Sequence, residues 1–205
     1  MKSPLVCLFV ALLLGYSGRA IFASRNRESS EADWKWFRNN FGLVLDHAMP
    51  IQKDVRVLIS YRRSESLQVG ALEYSFSIAD QAKPDSLVVH VRTPDGDPLG
   101  AQMFALHKLF PREPISTIEK RLKFKNWEFT EQQCPALKEA VAKFSKLSIP
   151  LQLKETTVYL DPTVHEFRAR AAGSIINATI VDYDSPLVLW ARETRTAMKA
   201  CGAEN

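Results

Sequence analysis

Glycine is scarce in this chain, 8 of 205 residues, and the glycines do not cluster. No glycine-rich loop is present to cradle a phosphate, which argues against nucleotide binding. The GxSxG elbow and the SxxK pair of serine hydrolases are missing as well. The histidines His47, His90, His107 and His165 stand alone, with no HxH or HxxxH spacing, so no metal centre is expected. His165 adjoins Glu166, but neighbouring side chains on a strand point to opposite faces. No cofactor is expected.

A long hydrophobic run is lacking too. The longest, Leu5 to Leu14, is about half of the roughly 20 residues a spanning helix needs. One positive charge precedes it, and small and polar residues follow in GYSGRAIFAS. That is the order of a secretory signal. Extending the run to Ala23 would place Arg19 at membrane depth, where a charge is costly. Residues 1–23 are therefore expected to be a cleaved signal peptide, cut after Ala20 or Ala23, which places the mature chain outside the cytoplasm, in the periplasm or secreted. Cys7 lies inside the run and not at its downstream edge, which argues against a lipid-modified cysteine. No stable membrane span is expected after cleavage.

Excess charge of one sign is also missing. Of the formal +4, cleavage would remove Lys2 and Arg19 and no acid. The near-balance that remains argues against a nucleic-acid partner. Arg62-Arg63 and the basic residues Lys120, Arg121, Lys123 and Lys125 read as solvated faces. Cysteine is equally rare, 3 in all, and cleavage would leave Cys134 and Cys201. An even number in an oxidising compartment predicts one disulfide. Closing so long a loop stabilises by roughly 4 kcal/mol in the chain-entropy view. A free Cys134 at a helix N-terminus would be a candidate nucleophile, and pairing with Cys201 removes that role.

Apolar residues make up 46% of the chain, enough for a real core, and residues 24–205 are expected to form one domain. Ser30 and Asp33 have capping-box spacing ahead of Trp34, Phe37, Phe41 and Val44 or Leu45, which predicts a helix over 31–48, stopped at Pro50. Three strands with period 2 follow: Val55–Arg62, Ala71–Ala79 and Leu87–Arg92, read as an antiparallel meander. Thr93-Pro94-Asp95-Gly96-Asp97-Pro98 is a turn; it lacks the further acids of a calcium loop. Helices are predicted at Leu99–Phe110, Ile115–Leu122 and Pro135–Leu147, with a strand at Phe124–Phe129. Strands at Thr156–Asp161 and His165–Ala172 are expected to pair across Pro162-Thr163, and another runs from Ile175 to Tyr183. Ser185 caps a last helix that starts at Pro186 and ends near Ala200, before Gly202. The fold expected is α+β: an antiparallel sheet of about five to seven strands with amphipathic helices packed on one face.

Alternation places Arg56 and Arg62, then Glu73, Ser75 and Ser77, then His90 and Arg92 on the polar side of the meander. The candidate binding residues are thus Arg56, Arg62, His90 and Arg92, on a face suited to an anionic or sugar-like ligand. The same pattern also fits a solvated sheet face with cross-strand Arg–Glu pairs. Asn177-Ala178-Thr179 is a glycosylation sequon, but inside the apolar run SIINATIV it reads as a poor acceptor. The function expected is a non-catalytic exported binding protein, its partner a protein or an envelope component. The alternative is a small extracellular hydrolase assembled from dispersed His, Asp and Ser residues.

Overall fold

A computed structural model describes residues 30–65, 73–80, 86–147, 163–171, 174–181 and 184–203. The signal segment and the expected strand Thr156–Asp161 lie outside the described residues. Helix α1 spans Glu31–Ala48. Its Ser30 hydroxyl accepts the Asp33 N–H, while the Asp33 carboxylate accepts the Ser30 N–H at 2.8 Å, so the predicted capping box is formed. Strands β1 (Val57–Glu65), β2 (Tyr74–Asp80) and β3 (Leu87–Pro94) come next, then helices α2 (Leu99–Leu109) and α3 (Ile115–Glu119). Strand β4 (Phe124–Thr130), helix α4 (Ala136–Phe144), strands β5 (Thr163–Ala171) and β6 (Ser174–Val181) and helix α5 (Pro186–Ala200) complete the order.

The six strands form one antiparallel sheet in the order β4-β3-β2-β1-β5-β6. The architecture is α+β, as the periodicities predict. The meander β1–β2–β3 continues into β4, and the late strands β5 and β6 join on the far side of β1. Strand β5 has β1 on one side and β6 on the other.

The two sheet faces differ in kind. One carries Ile59, Tyr61, Phe76, Ile78, Val89, Val91, Phe167 and Ala169, buried against Leu137 of α4 and Leu187, Val188, Trp190, Ala191 and Met198 of α5. Helices α4 and α5 are tied by the Trp190 indole N–H, which donates to the Ala140 carbonyl at 2.8 Å. They are tied again by the Cys134–Cys201 disulfide, with Cα atoms 5.5 Å apart and a sequence separation of 67. Cys201 caps α5, and Gly202 follows at φ 104°, a left-handed conformation that glycine adopts without strain.

The helices do not all share that face. Helices α1 and α2 form a second apolar cluster of Phe37, Phe41, Val44, Leu45, Met49, Leu99, Met103 and Phe104. This unit attaches at the opposite, polar face through two buried groups. Glu73 accepts the Leu99 N–H at the start of α2, at 3.0 Å. Arg62 donates to the Met49 carbonyl just past α1 at 3.1 Å and to Asp46 at 2.7 Å.

Candidate functional site

The strand register arranges the polar face into cross-strand rows. One row reads Thr179, Glu166, Arg62, Ser75, Arg92, Asn126 from β6 to β4. The next reads Asn177, Arg168, Ser60, Ser77, His90, Glu128. A third is apolar across Val57, Ala79 and Val88, which form a small cluster of their own. Val57 reaches this face because the register between β1 and β2 shifts between Val57 and Ile59. Period-2 alternation back from Tyr61 and Ile59 would put Val57 on their face; the irregularity sends it to the other side.

Small serines at the centre of the sheet leave this face hollow. A groove of about 1180 Å³ runs over β2, β3 and β4, with Pro50, Gln52 and Asp54 of the segment after α1 as one wall. That wall is pinned by the Gln52 N–H, which donates to the Ser60 hydroxyl at 2.9 Å. Ser75, Ser77, Arg92 and Asn126 line the groove, and none of the four makes a side-chain hydrogen bond among the described residues. Arg92 stacks on the Phe124 ring at 4.2 Å from its centroid, and its buried Nε has no hydrogen-bond partner. Desolvation holds its pKa below the usual arginine value. Partly dehydrated and without a carboxylate partner among the described residues, this cation favours an incoming anion more than a fully hydrated one would.

The four arginine and histidine residues singled out from the alternation do not all meet. His90 and Arg92 line the groove from β3. Arg56 also lines it, but from the turn before β1 and not from a strand. Arg62 faces the same side yet is only 4% exposed. Its guanidinium is held by Asp46, Glu166 and the Met49 carbonyl, so it serves as a tie between α1, β1 and β5. Asn126 and Glu128 were not singled out from the sequence. Their signal was the alternation in FKNWEF, with Asn126 and Glu128 opposite Trp127 and Phe129.

The other histidines are dispersed. His47 pairs with Glu119 at 3.0 Å on the groove wall, His107 stacks on Trp36 with ring centroids 3.9 Å apart, and His165 is buried in the opposite, apolar face. Among the described residues no cluster of His, Cys, Asp and Glu could hold a metal ion. No described helix is long and apolar enough to cross a membrane. A smaller depression of about 540 Å³ lies beside Arg62, Glu166 and Asn177. Asn177 is exposed on β6, at the edge of the described sheet, a more open setting than the apolar run around it suggests. The disulfide is compatible with an extracytoplasmic location. No protein-family model, curated protein or solved structure matches this chain.

Proposed function

We propose that this chain is an exported, non-catalytic binding protein, periplasmic or secreted, whose ligand lies in the polar groove over β2–β4. The observation that carries the reading is the gathering of Ser75, Ser77, Arg92 and Asn126 in one hollow, where none of the four makes a side-chain hydrogen bond among the described residues. Buried polar groups are ordinarily satisfied by the fold, as Arg62 is here, whereas the buried Arg92 Nε has no partner among the described residues. The N-terminal signal pattern and the disulfide support the location.

The test is retention from the extracytoplasmic fraction. The native disulfide-bonded protein and Ser77→Trp, which fills the groove floor, are isolated in parallel and examined by native mass spectrometry. A molecule or partner carried by the native protein and lost from a folded Ser77→Trp supports the reading. Equal retention by both, or none by either, sinks it.

A second reading, a hydrolase, has one observation in its favour. Ser77, His90 and Glu128 are direct cross-strand neighbours, with His90 Nδ1 3.3 Å from Glu128 Oε2. That is the hydroxyl–imidazole–carboxylate order of acyl-transfer sites. No hydrogen bond joins the Ser77 hydroxyl to His90, and β2 is paired on both sides, which leaves no backbone N–H pair beside Ser77 for an oxyanion. Ester or amide turnover abolished by both Ser77→Ala and His90→Ala would favour this reading over binding.

A further inference from the structure

The groove has two chemically different ends, and this polarity specifies a ligand class. At one end lie Arg92, Ser75 and Asn126, directly opposite one another on β3, β2 and β4. All three can donate hydrogen bonds, and the one formal charge among them is positive. At the other end lie Val57, Ala79 and Val88, which form the floor of the same groove. The serine and histidine row of Ser60, Ser77 and His90 lies between them. Of the acids of the groove, Asp54 and Asp80 are exposed beside the apolar row, where Arg56 is exposed too, and Glu128 pairs with His90 in the middle row. An anionic group would be attracted at Arg92, while at the opposite end Arg56 is offset by Asp54 and Asp80.

We propose that the groove holds a small amphipathic organic acid. Its oxyanion is bound by Arg92, Ser75 and Asn126, and its apolar body lies along Ser77 toward Val57, Ala79 and Val88. This inference rests on the groove being the binding site. Arg92 and Val88 are four residues apart on β3, so the head and the end of the body are separated by about 13 Å. The groove of about 1180 Å³ has room for such a molecule and far exceeds a bare phosphate or acetate. Placement is enforced from both ends. The head gains charge-assisted hydrogen bonds in a partly desolvated setting, and the body removes apolar surface from water. A carboxylate, a sulfonate and a phosphate monoester share the required head chemistry.

Calorimetric titration of the full disulfide-bonded protein tests this with four probes: decanoate, decyl phosphate, decan-1-ol and acetate. Decanoate or decyl phosphate should bind at least ten-fold tighter than decan-1-ol, which lacks the charge, and than acetate, which lacks the body. Which of the two binds tighter identifies the head. Arg92→Gln should weaken the anionic probes about ten-fold and leave decan-1-ol unchanged, with part of the loss restored in Arg92→Lys. Ala79→Glu should weaken both long-chain acids while Arg92 is intact. Decan-1-ol binding as tightly as the acids, acids unaffected by Arg92→Gln, or no probe binding at all overturns the proposal. If the acids fail while folded Ser77→Trp still loses a molecule that the native protein retains, the ligand class is wrong and the groove reading stands. If nothing is lost from Ser77→Trp, the groove reading itself has failed.

Discussion

The Tyr61 hydroxyl lies 2.7 Å from His165 Nδ1, joining β1 to β5 across 104 positions of sequence. The Tyr74 hydroxyl donates to the Tyr61 oxygen at 3.3 Å, which makes a buried chain of Tyr74, Tyr61 and His165. Burial, reinforced by Tyr74, drives the Tyr61 pKa far above that of an exposed tyrosine. Tyr61→Phe removes the middle of this chain and takes the hydroxyl partner from a buried imidazole nitrogen. The expected loss is about 1–3 kcal/mol of unfolding free energy in urea, and more than Tyr74→Phe loses. Equal stability of Tyr61→Phe and the native protein would contradict the network.

Arg62 was read from the sequence as a ligand-binding cation, and its contacts make it a structural tie. Arg62→Ala leaves Glu166 and Asp46 without their partner and frees the end of α1 from the sheet. Both carboxylates keep some solvent contact, so the expected cost is about 1–3 kcal/mol and not the larger loss of a fully buried pair. Arg62→Ala should also loosen the groove wall, because Met49 immediately precedes Pro50. Hydrogen exchange over residues 49–54 is the readout, and protection unchanged from the native protein would refute the tie.

The disulfide holds the beginning of α4 to the end of α5 on the apolar face, away from the groove. Its removal in Cys134→Ser/Cys201→Ser should cost about 2–4 kcal/mol in denaturant, with ligand retention lost only as the fold itself is lost. Intact mass measures the pairing directly, since the oxidised chain is two hydrogens lighter than the reduced one. A native, non-reduced sample at the reduced mass would refute it.

His107 sets a pH dependence. Burial lowers its pKa below the ordinary 6.5, against the pull of the Asp33 carboxylate 3.6 Å away. Its Nδ1 is buried with no hydrogen-bond partner, so a proton placed there meets no acceptor. As pH falls through 6.5, histidine in the unfolded chain binds a proton before the folded His107 does. Stability therefore drops in that range. His107→Gln should flatten this part of the stability–pH profile; an unchanged slope would refute the assignment. Asp33 acts in a lower range. The Ser30 backbone N–H is the main cause of its depressed pKa, so its contribution is present above the ordinary 3.8 and fades as pH falls through the lower, folded value.

Much of the local structure was legible because it follows from short-range chemistry. The capping box at Ser30 and Asp33, Ser185 ahead of Pro186, and the alternation in β2 each fix an element from neighbouring residues alone. The turn at Gly96, with φ 82°, belongs to the same class. What was not legible depends on partners far away in sequence. Nothing near Arg62 announces that Asp46 and Glu166 will claim it. Nothing near Val57 announces the register shift that moves it to the face of Ala79. The place of Asn126 beside Arg92 needs the pairing of β3 with β4, which alternation permits but does not specify.

The order of strands in the sheet also sets a timetable. Strand β1 is made early, but its neighbour on one side, β5, is made about a hundred residues later. Until then the backbone donors and acceptors along that edge of β1 have no strand to meet, and His165 has not arrived to meet the Tyr61 hydroxyl. At about 5–20 residues per second, that interval is on the order of 5–20 s of synthesis. During it β1–β4 can pair among themselves, but α5 and Cys201 are not yet present to close the apolar face. The sheet becomes complete only when the last third of the chain is delivered, so a ribosome paused before β5 would carry an open edge and an uncovered core.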